Sequence, residues 1–213
     1  MSDVPMSPAS SSAHSSPAPA RARTTTLVTG PVRSGKSRHA EDLLWDHASV
    51  TYVATGRRAE PDDPEWSRRV ETHQARRPGS WRTVETADVA AVIDVATGPV
   101  LVDCLGTWLT ALVDEAGWDD LVAAAEVVRA AGGRLIESLC AATVPVVVVT
   151  NEVGWSLVPT TTSGRFFQDE LGRLDAAVSG VAAQVHLVVA GRVLDLSAAP
   201  IVPTQPRPRT LDA

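Results

Sequence analysis

The stretch GPVRSGKS, residues 30–37, combines residue types that bind phosphate. Gly30, Gly35, Lys36 and Ser37 have the spacing of a GxxxxGK(S/T) loop, with an apolar run before them and a helical pattern after them. In such a loop the backbone N–H groups, here those of residues 33–37, surround a phosphate, the lysine reaches the terminal phosphates, and the serine hydroxyl binds Mg²⁺. A chance match in a turn is the alternative, which the flanking patterns disfavour. The stretch therefore predicts a nucleotide site.

A second ligand for the Mg²⁺ of such a loop is a carboxylate at the end of a neighbouring strand. Asp103 follows the apolar run 100–102 and fits that role, although capping of the next helix is an alternative. Asn151 and Glu152 follow a later apolar run and face the same edge of the predicted sheet, where ligands bind in open α/β folds. They are secondary candidates, and structural capping is an equal alternative for both.

The segment RRVETHQARR, residues 68–77, places His73 among four arginines in an acidic chain. Prolines 64 and 78 mark the ends of a predicted helix, in which His73 shares a face with Arg69, Arg76 and Arg77. Nearby guanidinium groups disfavour imidazolium, and a neutral imidazole can attack phosphorus. The arginines can hold phosphates. A solvated basic face, with no catalytic role for His73, is the alternative that spacing leaves open.

The other histidines are assigned to structural or inert positions. His14 lies in the N-terminal stretch, and His39 is expected to pack or to face solvent although it follows the loop closely. His47 is expected to end the first helix, where a cation suits the helix dipole. His186 is expected in the core or at a sheet edge.

Short valine-rich runs alternate with helical stretches along most of the chain. Strands are predicted at 25–29, 50–55, 81–85, 100–105, 144–150 and 185–190, and helices at 35–47, 64–77, 88–96, 119–142 and 164–183. Nearly continuous apolar runs are typical of strands covered on both faces. The alternation predicts an α/β fold of the P-loop NTPase-like (RecA-like) kind, a mostly parallel sheet with helices on both faces.

Composition limits the number of domains and the compartment. Residues 1–24 are rich in Ser, Ala and Pro and predict a disordered tail, residues 25–197 form one domain, and residues 198–213 form a proline-rich tail. The net charge of −6 gives no support to a nucleic-acid partner, and no apolar run can span a membrane.

Cys104 and Cys140 lie in apolar surroundings and are expected to be buried free thiols, which fits a cytoplasmic protein.

Taken in chain order, these motifs resemble a family: the bifunctional adenosylcobinamide kinase/adenosylcobinamide-phosphate guanylyltransferases of cobalamin biosynthesis. The resemblance runs from about Leu27 to Gly191. LVTGPVRSGKSRHAE resembles the family's opening strand and P-loop, and YVATG its second strand. RVETHQARRPGSWRTVE resembles the histidine segment, LVDCLGTWLTAL the acidic strand end, and VTNEVGWSLVP the motif after the fourth strand. GRFFQDELGRL resembles the last long helix.

The resemblance implies two reactions in one domain. As a kinase, the protein would transfer the γ-phosphoryl group of ATP or GTP to the aminopropanol hydroxyl of adenosylcobinamide. As a guanylyltransferase, it would use a histidine, matched by His73, to attack the α-phosphorus of GTP and release pyrophosphate. GMP would then pass to adenosylcobinamide phosphate and give adenosylcobinamide-GDP. The resemblance also implies Mg²⁺ as cofactor and a propeller-like homotrimer.

By resemblance, the nucleotide contacts extend beyond the residues found by local reasoning. They are Gly30, Pro31, Val32, Arg33, Ser34, Gly35, Lys36, Ser37, Ala54, Thr55, Gly56, Gln74, Ala75, Arg76, Arg77, Glu85 and Asp103. His73 and Lys36 are the expected catalytic residues, and Ser37 and Asp103 the expected metal ligands. A shared nucleotide site requires His73 to approach the α-phosphate while Lys36 reaches the other end. We therefore expect the His73 helix to close over bound nucleotide.

Four positions depart from the family pattern. Pro31 stands where glycine is common, and proline removes one N–H and fixes φ. Asp103 stands where glutamate is frequent, and Asp175 and Ala176 replace an Asn-Gln pair.

Two other functions are alternatives from the sequence. One is a small-molecule kinase in which His73 only positions phosphate, and the other is a nucleotide-binding regulatory protein without efficient turnover.

Overall fold

The computed structural model describes residues 23–56 and 64–202, except for the side chains of residues 64–66 and 69. Most of the predicted N-terminal tail, including His14, and most of the predicted C-terminal tail lie outside the described residues. No helix within the described ranges is long and apolar enough to cross a bilayer. The elements are β1 (Thr25–Thr29), α1 (Lys36–Asp42), β2 (Thr51–Ala54), α2 (Pro64–Ala75), β3 (Arg82–Glu85), α3 (Val89–Asp94), β4 (Val100–Asp103), α4 (Leu105–Ala116), α5 (Leu121–Ala141), β5 (Val146–Val149), α6 (Thr162–Val181), β6 (Gln184–Val189) and β7 (Arg192–Asp195).

The seven strands form one sheet in the order β3-β2-β4-β5-β1-β6-β7. All neighbouring pairs are parallel except β6 and β7. Ala54, Asp103 and Val149 are in register across β2, β4 and β5, and Val28 of β1 lies opposite Val149. The loops that follow these strands therefore meet at one edge of the sheet. The predicted mostly parallel α/β architecture is confirmed.

Helices cover both faces of the sheet, because successive strand residues point in opposite directions. In β4, Val100 and Val102 pack in a cluster with α3, α4, α5 and α6, whereas Leu101 packs with α1 and Trp81 on the other face. All three strand residues are fully buried. Burial of such a side chain is worth about 1.5–3 kcal/mol relative to exposure. The two clusters hold the carboxyl edge of the sheet rigid.

Helix α4 departs from the prediction, which extends the preceding strand to residue 105 and places no helix between that strand and residue 119. The strand ends at Asp103, and α4 begins at Leu105. Trp108, Leu109 and Leu112 follow Leu105 at helical spacing and are buried, as in an amphipathic helix. The continuous apolar run hides the point at which the period changes from strand to helix.

Strand β7 is also absent from the prediction. It pairs with β6 through a tight turn at Ala190 and Gly191, whose φ angles are 49° and 73°. Two-residue hairpin turns need positive φ at both central positions, and Ala-Gly is a weak signal for them because alanine rarely adopts that conformation. All four residues of β7 are exposed, so no apolar alternation marks the strand.

Two single-residue predictions are wrong. Helix α1 ends at Asp42, so His47 lies in an exposed turn and not at a helix end. The N–H of Leu44 bonds to the carbonyl of Glu41, a tighter bond that ends the α-helix there. Cys140 is exposed because the helix turns it away from the core that buries Leu139. An apolar sequence neighbourhood does not distinguish the two sides of α5.

Candidate active site

The loop between β1 and α1 is held tightly against the rest of the sheet edge. A Cβ atom on Gly30 would lie 2.3 Å from the carbonyl oxygen of Val188, so only glycine fits. The N–H of Glu152 donates to the Gly30 carbonyl at 3.0 Å, and the N–H of Gly191 donates to the Ser34 carbonyl at 3.1 Å. The loop is therefore clamped by the segments that follow β5 and β6.

The loop conformation places Lys36 and Ser37 at the start of α1. Arg33 and Gly35 have left-handed backbone angles, with φ of 60° and 98°, which turn the chain sharply into the helix. Lys36 is buried, and its Nζ donates to the carbonyl of Pro31 at 3.3 Å across the loop. Pro31 therefore contributes an acceptor to the loop, while its missing N–H lies outside the 33–37 segment.

Asp103, at the end of β4, is the acceptor for several side chains. Ser37 Oγ donates to Oδ1 at 3.4 Å, and Tyr52 OH donates to Oδ2 at 3.0 Å. Nδ1 of His73 lies 3.6 Å from Oδ2. Burial opposes ionisation of Asp103, but the contacts with His73, Tyr52 and Ser37 outweigh it and lower the pKa of Asp103. A carboxylate thus lies beside both Ser37 and His73.

Tyr52 links Asp103 to the arginines that follow α2. Its hydroxyl bonds to Asp103, and the guanidinium of Arg77 lies 3.5 Å from the centre of its ring. Burial and the negative charge of Asp103 raise the pKa of Tyr52 well above its ordinary value, against the effect of Arg77. Tyr52 therefore remains a protonated donor to Asp103 at physiological pH.

His73 lies between a cation and an anion that favour opposite tautomers. Nη2 of Arg76 is 3.3 Å from His73 Nδ1 and can only donate, which requires a lone pair on Nδ1. A hydrogen bond from Nδ1 to Asp103 requires a proton on Nδ1 and leaves the lone pair on Nε2. Arg76 Nη2 also donates to Glu41 Oε1 at 3.0 Å. Arg76 therefore joins His73 to a carboxylate of α1.

Two guanidinium groups at this site have buried N–H groups with no protein partner. Within the described part of the chain, Arg76 Nε and Arg77 Nη1 are buried and make no hydrogen bond. A buried donor without an acceptor costs about 1–3 kcal/mol. Phosphate oxygens are the acceptors that arginine binds most readily. The two groups therefore have the donor capacity for an anion beside His73.

A cavity of about 290 Å³ joins these side chains at the carboxyl edge of the sheet. The predicted residues that line it are Val32, Lys36, Ser37, Ala54, Gly56, His73, Gln74, Arg77, Glu85 and Asp103. The secondary candidate Asn151 also lines it. Lys36 and His73, which are 37 positions apart in sequence, therefore face the same space.

Several predicted residues lie outside the cavity wall. Thr55 is buried, and its hydroxyl bonds to the carbonyl of Cys104 at 2.7 Å and to the Thr107 hydroxyl at 2.8 Å, which is a structural role. The other predicted residues outside the cavity wall belong to the phosphate-binding loop or follow His73 closely. They are Gly30, Pro31, Arg33, Ser34, Gly35, Ala75 and Arg76.

Helix α2 ends at Ala75, two residues earlier than predicted, so Arg76 and Arg77 lie in the turn after it.

Other residues line the cavity without having been predicted. These are Tyr52, Val70, Thr83, Cys104, Gly106, Thr107, Thr110 and Phe167. Tyr52 lies on β2, and Gly106, Thr107 and Thr110 lie on α4, whose first residue is predicted as strand. Burial and the charge of Asp103 raise the pKa of Cys104, so its thiol stays protonated and bonds to Asn151 Oδ1 at 3.6 Å. Tyr52 could have been suspected, since it is the only tyrosine in the chain and adjoins the YVATG motif.

Helix α6 carries a buried carboxyl group, that of Asp175, which bonds to the residue after β5. Asp175 Oδ1 accepts a hydrogen bond from the Thr150 hydroxyl at 2.6 Å. Burial raises the pKa of Asp175 to about 7, against the hydrogen bond from Thr150, and the charge of Glu152 adds to the rise. Glu152 does not line the cavity, and its Oε1 accepts from the N–H of Gly154 at 2.8 Å. Glu152 thus caps its own turn.

The other two histidines in the described ranges, His39 and His186, form a pair between α1 and β6. Nε2 of His39 and Nδ1 of His186 are 2.9 Å apart, and His186 is buried in β6. Burial and the neighbouring His186 lower the pKa of His39. This pair packs α1 against β6, as the structural assignment of both residues expects.

Residues 26–196 match the family described as cobinamide kinase / cobinamide phosphate guanyltransferase. The bifunctional adenosylcobalamin biosynthesis protein CobU of Escherichia coli K12 is 38% identical over 175 residues, which cover 78% of this chain and 95% of that protein. The corresponding protein CobP of Pseudomonas aeruginosa is 35% identical over 182 residues, which cover 82% and 98%.

A type III secretion ATPase resembles the fold at a TM-score of 0.50 with 10% identity, over 85% of this chain and 59% of that one. That likeness concerns the fold alone, and it agrees with the P-loop NTPase architecture expected from the sequence. The family match spans the loop, the His73 segment and the Asp103 strand end. The chain belongs to the cobinamide kinase/cobinamide phosphate guanyltransferase family of adenosylcobalamin biosynthesis enzymes.

Proposed function

We propose that one nucleotide site performs both reactions of this family. The first transfers the γ-phosphoryl group of ATP or GTP to the hydroxyl of adenosylcobinamide. The second transfers GMP from GTP through His73 to adenosylcobinamide phosphate. The observation that carries the proposal is that Lys36, Ser37, Asp103 and His73 line one cavity.

In the kinase reaction, the loop holds the triphosphate and Lys36 neutralises the β- and γ-phosphates. The substrate hydroxyl oxygen bonds to the γ-phosphorus, the bond from that phosphorus to the β,γ-bridging oxygen breaks, and the hydroxyl proton is lost to solvent. Lys36 is suited to this role because its ammonium is fixed within the loop, where Nζ bonds to Pro31.

The residues present fit a Mg²⁺ ion that is held mainly by nucleotide. Ser37 Oγ and Asp103 Oδ1 are oxygen donors 3.4 Å apart, and Asp103 is charged. Among the described residues no group of three or more His, Cys, Asp or Glu forms a metal cage. Mg²⁺ at NTP sites characteristically takes one or two protein oxygens and fills its other positions with phosphate and water. When bound, the ion would neutralise phosphate charge.

In the guanylyltransferase reaction, His73 acts as the nucleophile. With its Nδ1 proton directed to Asp103, the Nε2 lone pair attacks the α-phosphorus and pyrophosphate leaves, which forms a phosphoramidate. A phosphate oxygen of adenosylcobinamide phosphate then attacks the same phosphorus, and Nε2 departs. Asp103 favours the required tautomer and stabilises positive charge on the ring.

The arginines after α2 supply charge stabilisation for both steps of GMP transfer. Among the described residues, Arg76 Nε and Arg77 Nη1 have no protein acceptor, and both lie beside His73. Bound phosphates would accept hydrogen bonds from these two groups while Arg76 Nη2 keeps its bond to Glu41. Donors that bound phosphate can use at the end of α2 support the expectation that the His73 helix closes over bound nucleotide.

The proposal is tested by measuring both reactions on matched variants. His73→Ala should abolish GMP transfer, with a loss of at least about a thousandfold, and keep kinase activity within about threefold. Lys36→Ala should depress both reactions. Arg68→Ala, an exposed arginine of the same helix, should change neither. Equal loss of both activities in His73→Ala, or undiminished GMP transfer, would contradict the proposal.

A further inference from the structure

Helix α2 carries His73, and none of its described side chains belongs to the two apolar clusters. The described side chains of α2 are those of residues 67, 68 and 70–75. Helices in proteins owe most of their stability to packing of an apolar face. At the end of α2 that carries His73, polar contacts therefore take a larger share in fixing the helix.

Three polar contacts at the C-terminal end of α2 join it to the body of the protein. His73 approaches Asp103, Arg77 stacks on Tyr52, and Arg76 bonds to Glu41. Asp103 and Tyr52 line the cavity, whereas Glu41 does not. Glu41 is therefore an anchor for α2 that stands apart from the nucleotide site.

Glu41 is a buried carboxylate whose placement needs an explanation. It is 2% exposed and lies on α1, one helical turn after Ser37. Burying a carboxylate is costly unless a cation pairs with it. The cation is Arg76, and its Nη2 contacts both Glu41 Oε1 at 3.0 Å and His73 Nδ1 at 3.3 Å. A single guanidinium nitrogen therefore connects α1 to the imidazole.

We propose that Glu41 is a positioning residue for GMP transfer, which anchors Arg76 and so holds His73 at a fixed place relative to the phosphate-binding loop. The proposal rests on the proposed function, in which His73 is the nucleophile. Because α1 begins with Lys36 and Ser37, the anchor ties the nucleophile to the same helix that carries the loop's lysine and serine. The kinase reaction does not use His73, so it does not depend on this anchor.

The first test concerns α2 in the nucleotide-free protein. Glu41→Gln keeps the side-chain volume and an acceptor for Arg76 but removes the charge. Amide hydrogen exchange in residues 70–75 should become about tenfold faster in this variant, while exchange in the core of α5 is unchanged. Unchanged exchange in residues 70–75 would overturn the proposal, whatever reaction the protein performs.

The second test compares the two reactions. Glu41→Gln should slow formation of the His73–GMP adduct by about tenfold to a hundredfold, with kinase kcat within about threefold of wild type. Glu170→Gln is the matched control. Glu170 is also buried and paired, with Arg129 and Arg173, between α5 and α6. The control should leave the ratio of the two rates unchanged, whereas a merely structural role for Glu41 would lower both rates together.

A double-mutant cycle shows whether Glu41 acts through Arg76. The double variant Glu41→Gln/Arg76→Gln should form the adduct no more slowly than Arg76→Gln alone. Once the guanidinium of Arg76 is gone, Glu41 has nothing left to position. Multiplied losses would overturn the anchor. If wild type forms no adduct at all, the proposed function fails, and the exchange measurement still decides whether Glu41 holds α2.

Discussion

At the scale of single residues, the proposed function makes Asp103 the group that both reactions share. Ser37 and Tyr52 donate to its two oxygens, and His73 lies beside it. The carboxylate is thus available to a metal ion on one side and to an imidazole on the other. Its low pKa keeps it charged for both roles. One carboxylate can therefore serve phosphoryl transfer and nucleotidyl transfer in turn.

Tyr52→Phe tests the contribution of a single hydroxyl group to this arrangement. The variant loses the bond to Asp103 and keeps the ring that Arg77 stacks on. We expect adduct formation to slow by about tenfold, since a hydrogen bond to a charged group is worth about 1.5–3 kcal/mol. Tyr52→Leu should be slower still, because it also loses the stacking. Wild-type rates in Tyr52→Phe, measured by single-turnover kinetics, would show that the hydroxyl is dispensable.

Asp175 gives a pH-dependent stability that can be measured. Its folded pKa of about 7 lies above the unfolded value of 3.8, so ionisation favours the unfolded chain. Its contribution is fully present below about pH 4 and is lost as pH rises to about 7. Asp175→Asn keeps an acceptor for Thr150 and cannot ionise. It should be more stable than wild type by about 4 kcal/mol at pH 8, with almost no difference near pH 4.

Urea unfolding at several pH values measures this difference. Asp169→Asn, an exposed position on the same helix, should show no such pH dependence relative to wild type. A stability difference for Asp175→Asn that stays constant from pH 4 to pH 8 would mean that Asp175 ionises normally in the folded protein.

At the scale of elements, the phosphate-binding loop is fixed by neighbours that are distant in sequence. Gly30 packs against the Val188 carbonyl of β6, and the loop bonds to the segments after β5 and β6. The motif itself is local, and the sequence was sufficient to find it. Tyr52 was missed because its pairing with Asp103 depends on the adjacency of β2 and β4, and a tyrosine within an apolar run predicts only a strand residue.

Gly30→Ala tests the packing of the loop. Its Cβ would lie 2.3 Å from the Val188 oxygen and 2.9 Å from Ser34 Oγ, so the loop must shift. We expect a loss of about 2 kcal/mol in the free energy of unfolding and weakened nucleotide binding. Gly133→Ala, in open space on α5, should instead stabilise by about 0.5–1 kcal/mol. Equal effects of the two variants in thermal unfolding would contradict the close packing of Gly30.

At the scale of the whole molecule, the alternation of strands and helices was sufficient to predict the sheet. Two elements of the structure are absent from the prediction. The start of α4 continues an apolar run, so no change of period marks it, and β7 has no buried side, so no apolar alternation marks it. The site assembles because parallel strands bring the loop and Asp103 to one edge. Helix α2 differs, since the contacts described for it with the body of the protein are polar and lie at its C-terminal end. The homotrimer implied by the family resemblance stays a prediction, which light scattering can check.

Nucleotide should stabilise the whole domain when Mg²⁺ is present. At a GTP concentration of about 100 Kd the gain is about 2.7 kcal/mol, which raises the Tm by about 5–10 °C for a domain of this size. Ser37→Ala should reduce the part of this shift that depends on Mg²⁺. Differential scanning calorimetry with GTP, before and after chelation by EDTA, measures it. A shift that is insensitive to EDTA would contradict a metal-assisted site.

The most direct measurement is the intact mass of the protein after incubation with GTP and Mg²⁺, made on wild type, His73→Ala and Arg68→Ala. We predict an acid-labile increase of one GMP in wild type and in Arg68→Ala, and none in His73→Ala. Wild-type protein that binds GTP without gaining mass, or an adduct that persists in His73→Ala, would contradict the assignment of His73 as the nucleophile.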